Sequence, residues 1–156
     1  MVQAALTLVE GEARCLDAGF TAPGHFTGSA WVLDAETHGS ALLTHHRKLG
    51  RWFQLGGHLE AGETALKGAL REAREESGLE DVRPLSEEIF DVDVHPIPAR
   101  GPVPAHHHYD IRFLFEASAA APLVCSSESR SLAWVRLEDA HRYNSSESIL
   151  RMVRKC

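Results

Sequence analysis

Apolar residues recur along this chain with two different periods. Leu6, Val9, Ala13 and Leu16 stand at helical spacing and predict a first helix over residues 3–18. The segments "HFTGSAWVLD" (25–34) and "ALLTHHR" (41–47) read as strands joined by the polar turn "AETHGS". A tight segment, "KLGRWFQLGG", follows. Thr64 to Ser77 then returns to the helical period until Gly78 stops it as a C-terminal cap. "EEIFDVDVH" (87–95) and "HHHYDIRFLFEA" (106–117) both alternate, and the proline-rich "PIPARGPVPA" between them reads as a loop too stiff for a helix or a central strand. "SLAWVRLED" (131–139) is the last predicted strand, and one or two short helices close the chain at "SILRMVRKC".

Strands around one long central helix, with more helix at both ends, predict an α/β fold: a mixed β-sheet sandwiched between α-helices. The order lacks regular βαβ alternation, and the chain has no GxGxxG turn, which speaks against dinucleotide binding. No repeat or linker divides the 156 residues, so they read as one domain, with residues 1–20 as a helical extension to a core at 25–156. A net charge of −6 argues against nucleic acid as a partner held by general basic attraction. It leaves room for an anionic small molecule, because a bound divalent cation reverses the local sign. No apolar run reaches the roughly 18 residues that a membrane span needs. The first residues carry Glu10 and Glu12 and do not read as a secretion signal. Cys15, Cys125 and Cys156 are far apart and form no CxxC, which fits reduced thiols and a cytoplasmic location.

The stretch "GGHLEAGETALKGALREAREESGL" (56–79) carries the chemistry. A charge run on a helix is ordinarily a solvated face. Here Leu66, Ala69, Leu70 and Ala73 share one side of the helix, while Glu72, Glu75 and Glu76 crowd a neighbouring sector. Like charges so placed repel, and a cation between them offsets the repulsion. Oxygen-only ligands favour a hard ion, Mg²⁺ or Mn²⁺, over zinc. The turn at Gly56 and Gly57 lets the backbone approach closely, so that a glycine carbonyl could add an oxygen. Glu63, eight residues before Arg71, is placed to brace the loop against the helix by an ion pair.

Gly57, Glu63 and the run Arg71-Glu72-Ala73-Arg74-Glu75-Glu76-Ser77-Gly78-Leu79 together resemble the Nudix box in full. Leu55 stands where that family often has proline, a change that alters loop stiffness and no ligand. The resemblance implies a Nudix-type αβα sandwich and a metal-dependent hydrolase of a nucleoside diphosphate linked to another moiety. It further implies that Glu72, Glu75 and Glu76 bind metal and catalyse, that Gly57 is a backbone ligand, and that Glu63 and Arg71 are the brace. Glu128, in "CSSESRSLAWV", matches the place from which a further acidic residue often completes such sites. Glu60 is a lesser candidate in the catalytic loop.

Other candidates come from the strands. On 106–117, His106, His108, Asp110, Arg112 and Glu116 share one face, opposite His107, Tyr109, Ile111, Phe113 and Phe115. Asp91, Asp93 and His95 form a matching stripe on the preceding strand. The two stripes could line a substrate pocket or hold a second ion, or be the wet face of a half-exposed sheet. Arg47, Lys48, Arg51 and His58 are placed to meet phosphates or substrate, and Trp52, Phe53 and Tyr109 to stack on a base. The alternatives to the hydrolase are a catalytically silent nucleotide-binding module, which should have lost box glutamates, and a prenyl diphosphate isomerase, which should have a pocket cysteine. The expected partner is a small nucleotide or diphosphate, without nucleic acid or membrane; a homodimer stays open, and so does the substrate's identity.

Overall fold

Backbone pairing along one strand organises this chain. The structure is a computed structural model describing residues 1–156. Helix α1 (Val2–Gly11) precedes strands β1 (Gly24–Asp34), β2 (Ser40–His46), β3 (Trp52–Phe53) and β4 (Leu55–His58). Helix α2 (Ala65–Ser77) leads to β5 (Arg83–Pro84), β6 (Asp91–Ile97), β7 (His106–Ala117) and β8 (Ser129–Arg136). A 3₁₀ turn (Leu137–Asp139) and helices α3 (Ala140–Tyr143) and α4 (Glu147–Lys155) complete the chain. All eight strands form one mixed sheet. Its centre is the parallel pair β1–β7, and β2, β4, β6 and β8 pair antiparallel.

The period of two along β1 sorts its side chains onto two cores. Phe26, Ala30 and Val32 join Ala69 and Ala73 of α2, with Ala5 and Leu8 of α1. Trp31 and Leu33 point the other way and pack with Ile149 and Met152 of α4. The result is the expected helix–sheet–helix sandwich. Thr64 caps α2 by accepting from the Lys67 amide at 3.3 Å, and Gly78 ends it with φ 72°, in the left-handed region that glycine enters freely. Helix α2 lies so close to the sheet that a Cβ on Gly28 would stand 2.5 Å from the Ala65 carbonyl oxygen.

Three local expectations give way. The first helix ends at Gly11 instead of 18, because Glu12 turns extended and Cys15 is drawn to the sheet, its carbonyl accepting from the Phe26 amide at 2.7 Å. The face it buries is Ala5 and Leu8, leaving Leu6 and Val9 exposed. The segment before the box contains two short strands, β3 and β4, that its glycines and tight turns conceal. The strand expected over 87–95 begins at Asp91 and runs through Pro96 to Ile97. Proline is tolerated there because β6 pairs only with β7 and has a free edge.

The polar stripes of β6 and β7 do lie side by side: Asp91 pairs with Arg112, Asp93 with Asp110 and His95 with His108. Helix α4 covers their inner part. Arg112 is 2% exposed, and its guanidinium reaches Asp110 at 2.8 Å, Asp91 at 3.2 Å, Asp93 at 3.3 Å and the Ser148 hydroxyl at 2.8 Å. Arg151 donates to Asp91 at 2.7 Å and Asp93 at 3.0 Å, and Lys155 to Asp91 at 2.6 Å. Three carboxylates thus meet three cations between sheet and helix. Against the cost of burial, hydrogen bonds from Arg151 and Lys155 hold the Asp91 carboxyl below its ordinary range. His95 first, then Arg112 and Arg151, do the same for Asp93 against burial.

Two expected outcomes follow from this packing. Gly28→Ala forces α2 off the sheet and should cost about 1–3 kcal/mol in urea unfolding; an unchanged midpoint would mean that the helix shifts freely. Arg112→Ala leaves the buried Asp110 without a cation and thins the pairing of Asp91 and Asp93, and it should cost about 3–5 kcal/mol. Because the folded-state pKa values of Asp91 and Asp93 are depressed, their contribution is full above the unfolded value of about 3.9 and is lost as pH falls below it. Melting curves across acid pH should therefore show a steeper loss in the wild type than in Arg112→Ala.

Candidate active site

Glycine geometry brings the loop before α2 against the helix. Gly56 and Gly57 of β4 pair with Ser29 and Gly28 of β1. Gly56 has φ 152°, and a Cβ there would stand 2.3 Å from the Ser29 hydroxyl; one on Gly57 would stand 2.6 Å from the Glu72 carboxyl carbon. Only glycine lets this backbone approach the carboxylates of α2. The Gly56 amide donates to Glu76 Oε2 at 3.0 Å, which fixes one end of that buried carboxylate.

Arg71 ties the remainder together. Its Nε and Nη2 donate to the two oxygens of Glu63 at 3.1 and 3.0 Å, and Nη2 also reaches the His58 carbonyl at 2.9 Å. The Arg71 bond holds the Glu63 carboxyl below its usual range. Nη1 bridges Glu72 at 2.8 Å and Glu75 at 3.2 Å. Glu60 is peripheral: it is exposed and lies 3.9 Å from Arg71.

The three helix carboxylates differ in setting. Glu76 is buried, and desolvation pushes its carboxyl up to about 7, aided by the charges of Glu72, Glu128 and Glu75. Desolvation also raises Glu72, with Glu75 and Glu128 adding to it. The side chain of Glu75 is 60% exposed. Glu128 therefore lies within the same electrostatic neighbourhood, although it comes from the loop before β8. Arg47 positions that loop, donating to the Ser127 carbonyl at 3.0 Å and the Ser129 carbonyl at 3.1 Å.

The donor set suits a hard cation: oxygen atoms alone, one carboxylate of raised proton affinity, and a turn that a Cβ would fill. Glu72, Glu75 and Glu76, with the Gly57 carbonyl, are the groups available to hold it.

The substrate-side candidates separate. Asp110 is buried, accepting from Thr27 at 2.9 Å, Ser29 at 2.7 Å and Gln54 at 3.2 Å, as well as from Arg112. Arg112 lies under α4, its donors engaged, and does not line an open pocket. Arg47 is likewise engaged with backbone carbonyls, whereas Arg51 is exposed and makes no ion pair. Tyr109 packs on Phe26 in the core at 5.8 Å, and Trp52 is stacked on His45 at 5.0 Å with Tyr143 against its edge. His108 belongs to a knot of imidazoles with His25, His58, His95 and His106. Desolvation, then the neighbouring histidines, pushes the His108 ring down to about 3. Sequence reasoning passed over Gln54, which nothing local marks, and His25, whose signal is its place in the alternation His25, Thr27, Ser29 on the polar face of β1.

The NUDIX domain model matches residues 25–156. Solved structures of similar shape include a NUDIX-family hydrolase from Clostridium perfringens, with 27% identity, 83% of this chain and 93% of that one covered, and a TM-score of 0.62. A C. elegans Ap4A hydrolase in a binary complex matches with 19% identity, 83% and 93% coverage, and a TM-score of 0.67. The E. coli dihydroneopterin triphosphate pyrophosphohydrolase matches with 16% identity, 87% and 95% coverage, and a TM-score of 0.66. No curated protein matches the chain. With a family model spanning most of its length and the full box folded around α2, the chain belongs to the Nudix hydrolase family.

Proposed function

We propose that this protein is a divalent-metal-dependent pyrophosphohydrolase that cleaves the diphosphate linkage of a nucleoside diphosphate joined to another moiety. The observation that carries this reading is the convergence of Glu72 and Glu76 on the Gly56–Gly57 turn, with Glu75 joined to Glu72 through Arg71, which Glu63 holds in place. Mg²⁺ or Mn²⁺ bound at these oxygens would neutralise phosphate charge and make a coordinated water easier to ionise.

The chain's own residues supply positioning and proton transfer. The Gly56 amide holds Glu76 Oε2, leaving Oε1 as its available oxygen. Glu75, the most exposed of the three and without a backbone partner, is placed to accept the proton of the attacking water. Glu128 adds a fourth carboxylate from across the site. Arg51 and His58 are the substrate contacts retained from the sequence reading. Arg47 acts by holding the Glu128 loop, and Asp110 by fixing Thr27, Ser29 and Gln54. We read residues 1–156 as one domain, since Ala5, Leu8 and Cys15 share a core with α2 and β7. No helix is long and apolar enough to cross a membrane.

A screen of nucleoside triphosphates, nucleotide sugars, dinucleoside polyphosphates and coenzymes with Mg²⁺ or Mn²⁺ tests the reading, and full activity after EDTA would refute it. Glu75→Gln and Glu76→Gln should each lower kcat by about 10² or more. The buried Glu76 also gives the metal-free protein a pH signature. A carboxyl raised to about 7 when folded stabilises fully below its unfolded value of about 4.3, and that contribution is lost as pH rises through 7. EDTA-treated wild type should lose melting temperature between those limits, and Glu76→Gln should flatten the slope. Parallel slopes would mean that Glu76 is not desolvated.

A further inference from the structure

At the open end of β1, beyond the reach of α4, three imidazoles face one another. His25 of β1 and His108 of β7 are register partners, and His106 stands two residues before His108 on the same face. One ring nitrogen of each lies within 4.8 Å of the other two. His25 and His106 are 1% and 7% exposed.

The backbone fixes which nitrogen is free. His25 Nδ1 is 2.9 Å from the Phe20 carbonyl, and His106 Nδ1 is 2.9 Å from the Pro104 carbonyl. A carbonyl only accepts, so each Nδ1 carries the proton and each Nε2 presents a lone pair. His25 Nε2 and His108 Nε2 are buried with no hydrogen-bond partner. Buried polar atoms are seldom left so, and an orphaned nitrogen beside two others calls for an electrophile. A carbonyl on the second nitrogen is also how metal-bound histidines are oriented.

We propose that His25, His106 and His108 form a transition-metal site that takes Zn²⁺, distinct from the carboxylate site and assembled on the opposite face of the sheet from α2. Three nitrogen donors suit zinc and its neighbours and disfavour Mg²⁺, so the two sites sort two ions by donor chemistry. Tetrahedral coordination at about 2.0–2.1 Å needs nitrogens roughly 3.3 Å apart, so the rings draw inward on binding. His58 stands beside the cluster, its ring 5.1 Å from that of His25 and 5.2 Å from that of His108. His58 follows Gly57 directly, which links the zinc site to the catalytic turn. A cleft of about 470 Å³, lined by Thr21, Pro23, Pro96, Pro98, His106 and His107, borders the cluster at His106.

The test uses EDTA-stripped full-length protein reloaded with Zn²⁺ or Co²⁺. Wild type and Glu76→Gln should both retain one equivalent of zinc through gel filtration and give the visible absorption of tetrahedral Co²⁺. His25→Gln and His108→Gln should weaken zinc in chelator competition by at least about 100-fold, since loss of a ligand exceeds the 10–100-fold cost of losing an outer-shell partner. His107→Gln, whose ring is on the other face, should match wild type. X-ray absorption of the zinc-loaded wild type, which needs no variant to fold, should show a nitrogen shell with several imidazoles. An oxygen-dominated shell, zinc lost with Glu76→Gln, or wild-type affinity in both histidine variants would overturn the proposal.

Discussion

Every residue of β1 pairs in parallel with β7, and this one register places most of what the protein needs. It sets Gly28 under α2, where the helix can approach. It sets Thr27 beside Asp110 and Ser29 beside Arg112, so that a polar network can form across the pair. It sets His25 beside His108. A slip of one residue would move every one of these side chains to the other face, so the apolar residues of β1 and β7 keep the register for the polar ones.

The box was legible because its spacing is local. Glu63, Arg71, Glu72, Glu75 and Glu76 act within a turn and four windings of helix, and a helix converts such spacing directly into position. The αβα layering was legible as well, from the change of period along the chain. What sequence reading misjudged depends on distant segments. The stripe through Asp110 and Arg112 was visible, but alternation gives only a face; that α4 covers it is decided by Ser148 and Arg151, which lie 36 and more positions along the chain. The first helix failed for a similar reason, since both candidate faces are apolar and the sheet beneath chose Ala5 and Leu8. His25 is separated by some eighty positions from its partners, and nothing near it in sequence announces them.

Arg71 joins the loop to the carboxylates of α2. One guanidinium satisfies Glu63 with two of its nitrogens and lends the third to Glu72 and Glu75. The first contact braces the loop. The second places a positive charge between two neighbouring carboxylates that would otherwise repel. Loop bracing and charge compensation thus reside on separate edges of a single planar group.

The grip of Arg47 on the Ser127 and Ser129 carbonyls bears on how this protein can diverge. Those contacts flank Glu128 on both sides and come from the end of β2, not from the stretch that leads out of β7. Residues 118–125 are held by other means, the Val124 amide donating to the Ser77 carbonyl at 2.8 Å and Ala121 and Leu123 packing on the core, so a change at the exposed Ala119 and Ala120 leaves the acidic residue at its station. Evolution, or an engineer inserting residues, has room there only at Ala119 and Ala120, between neighbours that are already moored.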